Sequence, residues 1–207
     1  MFNHTQLPLR RFRSYFPIVT CLLLIQLGIF LLMTFNGGST NVNTLLRFGA
    51  LEQAHLEQGE WWRLITPLFI HIGIAHLLFN SFALYLLGPQ LEWLFGKWRF
   101  ILLYMGTGFF ANLASTTLNP IGIKAGASGA IYGLFGVYLY LILFRRGAMD
   151  QQAGKSILAL VGINLVVSVI SPSVDLVGHL GGLFAGMCLA GPLLRGKYEK
   201  QREYPDE

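Results

Sequence analysis

Long apolar runs almost free of charge dominate this chain and limit what it can fold into. A bilayer span needs roughly 17–25 predominantly apolar residues. Six stretches answer to that description, near residues 16–35, 67–87, 98–118, 127–144, 155–171 and 175–194, the fourth and fifth being short. The breaks between them fall at Asn36-Gly37-Gly38, Gly88-Pro89, Asn119-Pro120, Arg145-Arg146-Gly147 and Ser171-Pro172. Only 12% of the 207 residues are charged, against about 25% in soluble domains, so the chain reads as a membrane protein. The expected fold class is all-α, a polytopic bundle of six transmembrane helices without a repeat or a second domain. It divides into a basic cytoplasmic N-terminal tail (1–15), a six-helix membrane domain (16–194) and a charged cytoplasmic C-terminal tail (195–207). The first run is about a full span and no clear A-x-A site follows it, which argues against a cleavable signal peptide. Cys21 and Cys188 both fall in apolar runs, where a free thiol behaves as a small hydrophobe.

Orientation follows from the basic residues. Arg10, Arg11, Arg13, Lys97, Arg99, Arg145, Arg146, Lys155, Arg195, Lys197, Lys200 and Arg202 would share one side, and Arg47, Arg63 and Lys124 the other. Positive residues collect on the cytoplasmic side, so both termini are expected in the cytoplasm, in agreement with an even number of spans. The net charge of +5 is then explained by topology and the lipid bilayer, and no nucleic-acid partner is expected. The long outer loop between the first two spans carries Glu60-Trp61-Trp62-Arg63. Tryptophan prefers headgroup depth, so this loop is expected to lie in the outer interface, its tryptophans anchoring in lipid or supporting a site.

This topology places Ser128 at the outer end of span 4, His179 about one turn into span 6, and His71 and His76 in the outer half of span 2. Polar groups at membrane depth are costly and face a bundle interior or a wet cavity. A hydroxyl within reach of a base, with donors aimed at a developing oxyanion, is the requirement for nucleophilic catalysis. Ser128 supplies the hydroxyl and His179 the base. The helix that starts at Ser128 offers unpaired N–H groups and the positive end of its dipole. Gly129 removes bulk from the approach of a substrate carbonyl. His76 and Asn80, four residues apart, share a helix face and can both donate to an oxyanion. His71 and His76 are about 140° apart on an ideal helix, poor geometry for one metal. Tyr132 lies one turn below Ser128, its ring able to pack on the His179 imidazole and its hydroxyl able to fix it. With Asp175 only at the edge, a Ser–His dyad is favoured over a triad. Gly129, Gly133 and Gly136 on span 4, and Gly178, Gly182 and Gly186 on span 6, form small-residue rows that permit close crossing.

Each feature has a plainer reading. The serine of G-x-S-G can merely begin a helix, a membrane histidine can be a structural hydrogen-bonder, and glycine rows can only pack helices. Asn112 and Asn164 read as interhelical glue.

Taken together, the pattern resembles the rhomboid family of intramembrane serine proteases over residues 15–195. The carriers are Trp62-Arg63, His71-x4-His76-x3-Asn80, Gly126-Ala127-Ser128-Gly129 with Tyr132, Gly178-His179-Leu180-Gly181-Gly182, and Gly88-x3-Glu92-x3-Gly96-x2-Arg99. The resemblance implies Ser128 as nucleophile and His179 as base and later acid. It also implies an oxyanion hole of His76, Asn80 and the Ser128 backbone, and Gly126 keeping the preceding loop open. It implies single-span membrane proteins as substrates, cut in or near the span, and the basic six-span form. No cofactor or metal is expected. The implied location is the cell membrane, with the active site open to the extracytoplasmic side. A non-catalytic adaptor binding client transmembrane helices is the alternative. A transporter needs a through-going polar path, and a bis-histidine haem protein would use His76 and His179. Neither an H-E-x-x-H motif nor a pair of intramembrane aspartates is present to suggest another protease class.

Overall fold

The structure is a computed structural model that describes residue 5, residues 7–145 and residues 147–194. Arg146 and the tail assigned to 195–207 lie outside the described residues. The helices run α1 (Leu9–Tyr15), α2 (Pro17–Phe35), α3 (Val42–Phe48), α4 (Gln53–Glu57), α5 (Gly73–Phe95), α6 (Lys97–Leu118), α7 (Ser128–Phe144), α8 (Gln151–Ile170) and α9 (Leu176–Leu194). Two short 3-10 turns, Trp61–Leu64 and Thr66–Phe69, precede α5. Among the described residues, five helices, α2, α5, α6, α8 and α9, are long and apolar enough to cross a membrane, and α7 is a shorter apolar helix of 17 residues.

The shortest of these six is the central one. Every residue of α7 from Ala130 to Tyr138 is buried, as expected of a helix apolar on all sides. The glycine rows explain how it is surrounded. A methyl added at Gly182 would strike the Gly129 carbonyl, one at Gly186 the Gly133 carbonyl, and one at Gly136 the Leu183 carbonyl. The backbones of α7 and α9 thus meet along a seam that no side chain could occupy. On α7's other flank, Gly133 faces the Thr107 side chain of α6.

Both ends of span 2 differ from the sequence reading, and span 5, expected to begin near residue 155, starts at Gln151 in α8. Span 2 was expected to begin near residue 67, but α5 starts at Gly73, leaving His71 in the non-helical joint before it. The expected break at Gly88-Pro89 does not occur, and α5 continues to Phe95 with Pro89 inside it. A proline there forfeits one helical hydrogen bond and crowds the preceding turn. Docking of α2 offsets that cost. Gly88 fits against Val19, where a Cβ would come within 2.7 Å of its Cγ2. One turn on, the buried Glu92 carboxylate accepts from Ile18 N at 2.9 Å and Val19 N at 2.8 Å. It thereby satisfies two N–H groups that the start of α2 would otherwise leave unpaired. The segment Gly88 to Arg99 is therefore mostly helix rather than loop. α1, within the expected tail, packs Phe12 on Phe16 and Tyr85 at centroid distances of 5.2 and 5.0 Å.

The outer loop folds into α3, α4 and the two 3-10 turns, and Arg63 pins it. Its Nη1 donates to the carbonyls of Leu46 (2.8 Å) and Ala50 (2.9 Å), its Nε donates to Glu60 Oε2 (2.5 Å), and its guanidinium lies 4.5 Å over the Trp62 ring. Trp61 and Trp62 stay largely exposed, where an interfacial belt would place them. Hydrogen bonds from a charged donor contribute about 1.5–3 kcal/mol each. Arg63→Ala should therefore lower stability by about 3 kcal/mol, read as a drop in the unfolding midpoint of the detergent-solubilised protein. Trp61→Ala, which removes an exposed ring, should leave that midpoint nearly unchanged.

Candidate active site

The turn before α7 is held from two sides. Leu51 and Lys124 exchange backbone hydrogen bonds of 2.8 Å in each direction, and Gly126 N donates to Pro67 O at 2.9 Å. The outer loop therefore grips the segment that leads into Ser128. Gly126 has φ +125°, and a Cβ there would come within 2.6 Å of His76 Nε2. Only glycine lets the chain pass this close to the imidazole in that conformation. The residue capping α7, Ala127, offers no side-chain hydrogen bond to the first turn, so the N–H groups around Ser128 remain available as donors.

A cavity of about 450 Å³ opens beside this turn, and Ser128, His179, His76, Asn80 and Gly126 all line it. The peptide after Ser128 and the peptide before His179 lie close together, with the Cβ direction of Gly129 ending 4.0 Å from the Gly178 carbonyl oxygen. Gly129 itself serves the seam. Its missing side chain points at Ala111 Cβ, 2.5 Å away, so the absent bulk makes room for α6, and Gly129 also lines the cavity beside Ser128.

His179 is buried and tightly oriented. Its ring stacks on Tyr132 at 4.0 Å with an interplanar angle of 13°. The Tyr132 hydroxyl does not reach it, contrary to expectation. That hydroxyl meets Ser168 Oγ of α8 at 2.6 Å, and the same Ser168 oxygen lies 2.8 Å from His179 Nδ1. Ser168 was not singled out from sequence. The signal was a serine one turn beyond Asn164 in an apolar helix, where polar groups are costly. Asp175 turns the other way. Its carboxylate accepts from the Ser115 hydroxyl and from Gly178 N (3.1 Å), capping α9. Lys124 Nζ donates to Ser115 Oγ at 2.5 Å and to the Ser115 carbonyl at 3.1 Å. Burial pushes the Lys124 ammonium below the ordinary lysine value, and the neighbouring Asp175 carboxylate opposes that shift.

On α5, His76 and Asn80 stand one turn apart at the cavity wall. Asn80 Nδ2 donates to the His76 carbonyl at 3.0 Å, which leaves one amide hydrogen for a ligand. His71 is fully buried, and its ring meets His76 edge-on at 5.3 Å. The two rings touch because His71 is off the helix, so the 140° separation does not apply. Asn112, read as interhelical glue, instead ties α6 to the outer loop through Leu64 O at 2.9 Å. Asn164 lines the cavity, and its carbonyl accepts from Ser168 at 2.8 Å. Cys21 and Cys188 are exposed on α2 and α9.

A rhomboid-domain family model matches residues 58–196 of this chain. The chain belongs to the rhomboid family. Rhomboid protease GluP of Bacillus subtilis is 42% identical over 183 residues, 88% of this chain but 36% of GluP. Putative rhomboid protease YdcA of the same organism is 36% identical over 93% of this chain and 95% of its own length. Rhomboid-like protease 2 of Toxoplasma gondii is 36% identical over 69% of this chain and 51% of its own. Rhomboids of this kind are intramembrane serine proteases, and the apolar helices make this one a multi-pass membrane protein.

Proposed function

We propose that this rhomboid is an intramembrane serine endopeptidase that cleaves single-span membrane proteins in or near their transmembrane segment, using Ser128 and His179 as a dyad. The observation that carries the reading is the shared cavity. It is lined by a serine at a helix start, an imidazole locked by ring stacking, and two side-chain donors from a third helix. A substrate helix hides its carbonyls in its own hydrogen bonds, so a short stretch must unwind before attack. His179 Nε2 then takes the Ser128 proton as Oγ bonds to the scissile carbonyl carbon. Negative charge moves to the carbonyl oxygen, which backbone N–H at Ser128, His76 and Asn80 would surround. His179 returns the proton to the leaving amine as the C–N bond breaks. Water, activated by the same imidazole, hydrolyses the acyl-enzyme and restores Ser128.

This reading keeps both termini in the cytoplasm and opens the cavity to the extracytoplasmic face of the cell membrane. Lys124 and Asp175 at the cavity wall supply the polar lining that water needs to reach Ser128.

The experiment is cleavage of a panel of single-span proteins by the purified enzyme in liposomes, with cut sites read by mass spectrometry. In parallel, a fluorophosphonate probe should label Ser128. A non-catalytic adaptor would bind the same helices yet yield neither cut nor label. Removing one oxyanion donor costs about 2.7–4 kcal/mol in serine hydrolases. Asn80→Ala and His76→Ala should each lower kcat by about 10²–10³-fold with little change in KM. A rise in KM alone would assign those side chains to ground-state binding.

A further inference from the structure

We infer that Ser168 on α8 is a positioning residue that fixes the tautomer of His179, holding the proton on Nδ1 and leaving Nε2 bare to act as base. The inference rests on the dyad reading above and goes beyond it, and it follows from counting protons at one buried oxygen.

Ser168 Oγ has three polar neighbours: the Asn164 carbonyl at 2.8 Å, the Tyr132 hydroxyl at 2.6 Å and His179 Nδ1 at 2.8 Å. A hydroxyl carries one donor hydrogen and two acceptor lone pairs. A carbonyl oxygen can only accept, so the single Ser168 hydrogen goes to Asn164. The other two partners must then both donate. Tyr132 gives its O–H, and His179 gives an N–H from Nδ1. All three sites on the Ser168 oxygen are filled and none conflicts. The opposite tautomer would set a bare Nδ1 against an oxygen lone pair, or force Ser168 to abandon Asn164. Which imidazole nitrogen carries the proton is set by the bond the other one makes.

Ser168 is buried, at 4% exposure, in the wall of the cavity. The arrangement also survives the reaction. When Nε2 receives the Ser128 proton, the imidazolium still donates from Nδ1 to Ser168, and no hydrogen in the network has to move. A neutral hydroxyl therefore does the orienting that a carboxylate does in a triad, while Asp175 is occupied with Ser115 and the start of α9. Tyr132 contributes twice, through its ring to His179 and through its hydroxyl to Ser168.

The test is nitrogen-15 NMR of histidine-labelled enzyme in lipid bilayers near neutral pH, with His179 assigned by its loss in His179→Ala. The expected result is a protonated Nδ1 and an unprotonated Nε2. Ser168→Ala should lose that preference and lower kcat by about 10- to 100-fold with KM unchanged, part of the roughly 10²–10⁴-fold that general acid–base catalysis supplies. Ser168→Thr, which keeps the hydroxyl, should restore both. A wild-type His179 protonated at Nε2, or a Ser168→Ala enzyme with wild-type kcat, overturns the proposal. Should Ser168→Ala fail to fold, the wild-type spectrum and Ser168→Thr still decide it. If Ser128→Ala retains cleavage, the dyad reading fails whatever the tautomer. If Ser128→Ala is inactive and His179 carries its proton on Nε2, only the role of Ser168 fails.

Discussion

Replacing Ser128 with alanine should abolish cleavage, with a loss in kcat on the order of 10⁶-fold, as nucleophile removal does in other serine proteases. The variant should stay folded. Ser128 is the first residue of α7 and donates no side-chain cap, so its hydroxyl holds no element of the bundle together. His179→Ala should lose activity to a similar extent, and the double variant should be no worse than either single one, because the two groups act as a unit. The oxyanion donors would still bind the carbonyl in all three, leaving a small residual rate over water. The measurement is single-turnover cleavage of a reconstituted single-span substrate, with unfolding midpoints taken alongside. Substantial turnover by purified Ser128→Ala would end the proteolytic reading of this site.

The second large effect is structural. Gly182→Leu or Gly186→Leu should drive α7 and α9 apart, because the new Cβ lands on a backbone carbonyl of the facing helix. A flexible side chain could swing away, but a helix backbone cannot. Overpacking of this kind costs about 1–3 kcal/mol in ordinary cores, and the upper end or beyond is expected where two backbones touch. Activity should vanish with stability, since the same seam brings the helix of Ser128 to the helix of His179. Gly162 on α8 provides the control. Nothing lies within 4 Å of its Cβ direction, so Gly162→Leu should leave the unfolding midpoint nearly unchanged. Leucine favours a helix over glycine at both positions, so an equal loss at Gly162 and Gly186 would mean that added bulk anywhere in a span, and not the seam, accounts for the result.

The helices were legible because hydrocarbon demands length and apolarity, and both are written in single residues. The expected range 98–118 differs by one residue from α6, and 127–144 by one from α7. The seam was legible from glycines every fourth residue. Other features depended on partners distant in sequence. Gly88-Pro89 reads as a breaker until Val19 docks against that turn and Glu92, one turn on, takes up the N–H groups that begin α2. His71 reads as helical because the apolar run continues through it, while the Gly126 backbone pairs with Pro67 just ahead of it in the same joint. Ser168 was silent for a related reason. A lone serine in a span has no periodicity, and its use emerges only when α7 and α9 bring a phenol and an imidazole to the same oxygen. Gly129 has a use that its neighbour does not announce: its place beside Ser128 suggests access, while its absent side chain also makes room for α6.

At 17 residues and 1.5 Å of rise, α7 is about 25 Å long, against roughly 30 Å of hydrocarbon in an ordinary bilayer. A rod that short, at the centre of the bundle, is at the lower limit of what can reach both surfaces. On the proposed reading, the pinned loop and the cavity beside Ser128 take up the difference, and the proposed nucleophile would stand below the outer surface. A guest segment entering that cavity would exchange oily surroundings for hydrated ones at the moment its coil loosens, and its bared amides would find solvent where lipid offers none.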